Sequence, residues 1–124
     1  MKKLFLGIAI LSIVLIIIAA NFPTQKITPN KLIGYWAPDV ESSRLFFWKD
    51  ENGDLQIQET SCTSGDPIDV VGFKITEDKL FIKTIFKPLK WEVLSEFEMV
   101  NDSTLNCVAY TDEGYAKITY TKTK

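Results

Sequence analysis

An all-β fold, an eight-stranded antiparallel up-and-down barrel behind one N-terminal apolar helix, is what this 124-residue sequence predicts. Three observations predict it. Apolar and polar residues alternate with a period of two over most of the chain. Turn signals fall between these runs at short, regular intervals. An unbroken apolar stretch precedes them all, set behind two lysines.

The apolar stretch comes first. Lys2 and Lys3 precede a run from Leu4 to Ala20 that only Gly7 and Ser12 interrupt. Its 17 residues lie between a signal-peptide core of about 7–15 and a membrane span of about 20. Residues 1–20 are therefore expected to be an uncleaved signal anchor or a cleaved signal peptide. Either form holds the basic N-terminus on the cytoplasmic side and exports the rest of the chain. The membrane is a partner through residues 1–20 in the first case only. The expected location is extracytoplasmic: membrane-anchored, periplasmic or secreted. Residues 21–30 hold Pro23 and Pro29 among polar residues and read as a linker. Residues 31–124 form the domain.

Eight strands are expected, over roughly 32–37, 44–49, 54–60, 69–76, 79–86, 90–100, 104–111 and 115–122. The clearest is the run in which Trp91, Val93, Ser95, Phe97 and Met99 alternate with Glu92, Leu94, Glu96 and Glu98. Leu55 and Ile57 alternate with glutamines. Val71, Phe73 and Ile75 alternate with Gly72, Lys74 and Thr76, and Ala116, Ile118 and Tyr120 with Lys117 and Thr119. Asn52-Gly53 is a hairpin signal, and Asn101-Asp102-Ser103 and Asp112-Glu113-Gly114 are further turns. Short loops between successive strands make a meander, which loses its exposed edges by closing on itself. A β-sandwich of the same strands is the competing arrangement.

Composition excludes more than it identifies. The formal charge is −2, and Lys2 and Lys3 belong to the apolar leader, so the domain is more acidic still. Such a surface gives nucleic acid nothing to grip. The chain has no histidine, hence neither the commonest general base nor the commonest metal ligand. Cys62 and Cys107 are expected to pair in an exported domain. Their separation and the absence of a Cys-x-x-Cys spacing argue against redox or zinc chemistry.

The first strand opens Lys31-Leu32-Ile33-Gly34-Tyr35-Trp36. A Gly-x-Trp in the opening strand of an eight-stranded meander resembles the lipocalin-like, or calycin-type, barrels, and more distantly the avidins. The resemblance implies that Trp36 closes one end of the barrel and that Gly34 lets the strand pass closely beneath it. Classical lipocalins stack a late-strand arginine on this tryptophan; here the only arginine is Arg44.

No nucleophile motif, phosphate-binding glycine loop or metal-ligand cluster appears. Glu92, Glu96 and Glu98 share a strand face opposite the apolar one, which makes it a solvated wall. Asp50, Asn52 and Asp54 have the spacing that opens a calcium loop, but Gly53 comes early and a hairpin accounts for them. Phe46 and Trp48 share one face of the second strand while Leu45 and Phe47 share the other, so one pair must stand outside.

The expectation is a non-enzymatic bacterial envelope domain that needs no cofactor. It binds a small hydrophobic ligand in a barrel lined by some of Trp36, Trp48, Phe73, Trp91 and Phe97. The alternative is a protein-interaction module, an inhibitor or assembly factor with a filled core, whose contact is the loop from Glu59 to Asp69 fixed by the disulfide. Cavity volume separates the two.

Overall fold

The computed structural model describes residues 24–87 and 90–123. The segment expected as signal or anchor over 1–20 lies outside them. Among the described residues no helix is long and apolar enough to cross a membrane.

A short helix, α1 (Pro29–Leu32), leads into eight strands: β1 (Gly34–Pro38), β2 (Ser43–Lys49), β3 (Leu55–Ser61), β4 (Pro67–Ile75), β5 (Leu80–Phe86), β6 (Trp91–Asn101), β7 (Thr104–Thr111) and β8 (Gly114–Thr123). Each strand pairs antiparallel with the next, and β8 returns to β1 through Trp36↔Lys122 and Ala37↔Thr121. The sheet is closed, so the sandwich arrangement does not occur.

Alternation decides which side chains point inward. Leu45 and Phe47 on β2, Leu80 and Ile82 on β5, and Phe97 and Met99 on β6 are fully buried. Their outward neighbours are half-buried or exposed. Each such side chain contributes roughly 1.5–3 kcal/mol on leaving water. The ambiguity at β2 resolves with Leu45 and Phe47 inside. Phe46 and Trp48 stand outside, where Phe46 stacks between Tyr35 and Trp48 at centroid distances of 4.2 and 5.1 Å.

One strand breaks its expected pattern. On β4 the register with β5 shifts between Val70 and Gly72. Val70 opposes the inward Thr84 and Phe73 opposes the inward Ile82, so Val71 is the extra residue of a bulge and faces solvent. The simple alternation Val71–Phe73–Ile75 is thereby corrected. Phe73 is nevertheless 41% exposed. The cause is next door, since β3 and β4 pair only through Glu59↔Ile68 and Thr60↔Pro67. Below those pairs the two strands part.

The barrel has two unlike ends. At one lie α1, the β2–β3 turn and the β4–β5 turn. The Gln25 N–H donates to the Met99 carbonyl at 2.8 Å, and the Ile27 N–H to the Glu77 carbonyl at 3.1 Å. Ile27 and Leu32 are buried there. Part of the segment read as a linker thus plugs the barrel, with Pro29 at the first helical turn, where its missing N–H costs nothing. The opposite end carries the β1–β2, β3–β4 and β7–β8 loops and has no such plug among the described residues.

Candidate functional site

The core fills only the plugged half of the barrel. Trp36 on β1 is fully buried, and its Nε1–H donates to the Leu32 carbonyl at 2.8 Å. Above Trp36, Phe97 and Tyr120 meet with ring centroids 5.6 Å apart. Beyond Tyr120 the interior is empty: a cavity of about 270 Å³ opens toward the unplugged end.

Its lining has two tiers. The floor is polar, formed by Ser43 on β2, Glu59 on β3, Thr84 on β5, Ser95 on β6 and Tyr120 on β8. The mouth is mostly apolar, with Ile68, Phe86, Trp91, Val93 and Ile118, and Ser42 and Ser61 on its β2–β3 side. Phe86 and Trp91 are register partners across β5 and β6. All four buried polar residues of the described chain, Ser43, Glu59, Thr84 and Ser95, line this one cavity. Burying polar groups costs free energy unless they are hydrogen-bonded. A domain that needed only a core would have placed apolar residues in this layer.

Glu59 dominates the electrostatics. It is 6% exposed, and burial pushes its carboxyl up to about 7, partly opposed by hydrogen bonds from the Ser43 and Thr84 hydroxyls. Among the described residues no cation forms an ion pair with it. Burial likewise raises the Tyr120 phenol, against hydrogen bonds from Ser43 and Ser42. The Cys107 thiol, beside Ser95, is pushed up to about 12 by burial.

Of the residues expected to line the barrel, Trp91 alone borders the cavity. It does so at the mouth, 44% exposed. Trp36 and Phe97 belong to the packed core below. Phe73 faces the parting of β3 and β4, and Trp48 stands outside. Gly34 occupies φ +126°, and a Cβ there would come within 3.1 Å of Lys122 Cε. The aliphatic stem of Lys122 fills that place and carries its ammonium to 5.4 Å from the Trp36 ring centroid.

The expected disulfide is corrected. Cys62 and Cys107 are free thiols. Cys107 points into the barrel between Phe97 and Ile118 on the neighbouring strands. Cys62 lies past the end of β3, where its N–H donates to the Ser42 carbonyl at 2.9 Å. The loop from Glu59 to Asp69 therefore has no covalent brace, and the entropic argument for it as a preformed contact falls away.

No family model, curated protein or solved structure matches this chain. The site therefore has to be read from its own chemistry.

The floor residues were missed in the sequence although a signal existed. Leu55, Ile57 and Glu59 share one phase of β3, as do Leu80, Ile82 and Thr84 of β5. Period-two alternation puts Glu59 and Thr84 inside. A lone carboxylate at a strand end reads first as a solvent-facing residue, and only closure of the barrel shows that this end is enclosed.

Proposed function

We propose that this is an extracytoplasmic, lipocalin-like binding protein that holds one small amphipathic molecule in the open half of its barrel. The observation that carries this reading is the gathering of the buried polar side chains around an otherwise apolar cavity. Mostly apolar walls with a few convergent polar groups are the usual make-up of a ligand site. At about 270 Å³ the cavity lies just under the range of roughly 300–1,000 Å³ for drug-sized ligands. The occupant is small, and a long acyl chain would not be enclosed.

Lipocalin-like describes the closed meander together with the Gly34–Trp36 arrangement at its plugged end. Lys122 stands where those barrels stack an arginine. Export is carried by Lys2, Lys3 and the apolar run to Ala20. Binding without catalysis is supported by the absence of histidine and by the floor's single carboxylate, which has no second one with which to share acid–base work.

Native mass spectrometry of the protein taken from its own envelope tests the reading. A small adduct is expected on the wild type and its loss on Val93→Phe, which fills the cavity while leaving the plugged core intact. A folded wild type that carries no adduct and takes up no small amphiphile would return the protein to the interaction-module alternative.

A further inference from the structure

We infer that the cavity takes a small organic cation, an ammonium group on a compact apolar body, with the nitrogen seated against Glu59 and the body between Phe86 and Trp91. The inference rests on the binding reading above and names the ligand class for that same cavity.

Three observations converge on a cation. First, Glu59 is a nearly fully buried carboxyl aimed into a cavity, and no basic side chain among the described residues reaches it. An ionised carboxylate in such a place calls for an opposite charge, and the described residues do not supply one. Second, the neighbours of Glu59 are hydroxyls on the floor: Ser43, Thr84, Ser95 and Tyr120. Their oxygens accept as well as donate, so they can share the several N–H donors of an ammonium. Third, the loops around the mouth are acidic. Asp39 and Glu41 lie between β1 and β2, Asp66 between β3 and β4, and Asp112 and Glu113 between β7 and β8. Lys87, Lys90 and Arg44 are the basic residues of that rim; Lys87 is engaged by Asp69 at 3.2 Å, and Arg44 borders a surface hollow with Asp39 and Glu41. A rim of this sign draws in cations and repels anions.

The seat is pH-dependent. The titratable groups facing Glu59 are Cys107 on β7 and Tyr120 on β8, whose raised values keep both neutral through the physiological range. From β2, β5 and β6 it meets the uncharged Ser43, Thr84 and Ser95, and from β4 Ile68. Glu59 itself, raised to about 7, is the group that changes charge. Seating an ammonium expels its proton, so affinity falls as the solution is acidified.

Calorimetric titration separates the cases. The full chain is placed in phosphatidylcholine nanodiscs, with empty nanodiscs as blank, and titrated with 2-phenylethylammonium, 2-phenylethanol and phenylacetate. At a pH of about 8 the ammonium is expected to bind about tenfold or more tighter than the alcohol, with phenylacetate weakest. The preference shrinks toward parity at a pH of about 5.5, where Glu59 is protonated. Glu59→Gln abolishes the preference, so that the ammonium and the alcohol bind this variant with similar affinity. Equal affinity for the alcohol and the ammonium at the higher pH overturns the cation assignment but leaves a binding cavity. So does a Glu59→Gln variant that keeps the preference. Binding of none of the three overturns the cation assignment and the binding reading together.

Discussion

Lys122 and Trp36 are register partners across β8 and β1, and they form the closure of the barrel. The lysine Nζ lies 5.4 Å from the indole centroid and donates to the Lys31 carbonyl at 3.0 Å. The indole Nε1–H in turn donates to the Leu32 carbonyl. The last two carbonyls of α1, which have no partner within so short a helix, are thus taken by the first and last strands. The plug, the opening strand and the closing strand are joined at one point.

Trp36→Ala removes a fully buried indole and the donor that holds Leu32. A loss of about 3–5 kcal/mol is expected from chemical denaturation, the range for large-to-small core substitutions. Trp36→Phe keeps most of the volume but leaves the Leu32 carbonyl without its donor, so it should fall between wild type and Ala. Near-neutral unfolding of Trp36→Ala would show that the plugged end is not where stability resides.

Gly34→Ala places a Cβ where backbone and neighbour both resist it. The φ of +126° strains any L side chain, and Lys122 Cε lies only 3.1 Å from the new atom. About 1–3 kcal/mol of destabilisation is expected. Lys122→Met in the same background relieves nothing, because it keeps the stem, whereas Lys122→Ala removes the clash and should restore part of the loss. Additive effects of Gly34→Ala and Lys122→Ala would mean that the two sites do not touch.

Most strands were legible because they carry their own period. In β6 the inward set Val93, Ser95, Phe97 and Met99 and the outward set Glu92, Leu94, Glu96 and Glu98 are set by alternation alone. What escaped the sequence depends on non-local geometry. The bulge at Val71 is invisible because Val70 and Val71 are chemically alike, and only pairing with Thr84 tells them apart. Helix α1 is too short for a helical period and opens on Pro29, which reads as part of a linker. The cavity could not be counted from composition, since the aromatics divide between core, mouth and outer wall. Trp36 and Phe97 fill the plugged half, Trp91 stands at the mouth, and Trp48 contributes nothing to the interior.

The free thiols give a second check on the fold. In the native protein Cys62 is expected to alkylate without reductant, while Cys107, buried and with its thiol raised to about 12, stays unmodified until the chain unfolds. Mass measurement after denaturing alkylation should show both thiols blocked. Reductant should leave the melting temperature unchanged, and Cys62→Ser should alter stability by less than about 0.5 kcal/mol. Protein from the envelope that resists alkylation until it is reduced would place the two cysteines in contact.

Glu59 makes the stability of the empty barrel depend on pH in a direction opposite to that of ordinary salt-bridged acids. Its carboxyl is raised from 4.5 to about 7 on folding, so between those values the folded chain holds a proton that the unfolded chain has released. Stability then falls as pH rises through this window and levels off above it. The full loss is about 3–4 kcal/mol by linkage. Glu59→Gln cannot ionise, so the difference in unfolding free energy between variant and wild type should grow from near zero below about pH 4.5 to that value above about pH 7.5. Subtracting one curve from the other removes every other titrating group. A 2-phenylethylammonium ligand at saturation should reverse the trend for wild type alone, because it supplies the charge that the interior lacks. Parallel curves for the two proteins would mean that Glu59 is solvated in the folded state and that the polar floor is open to water.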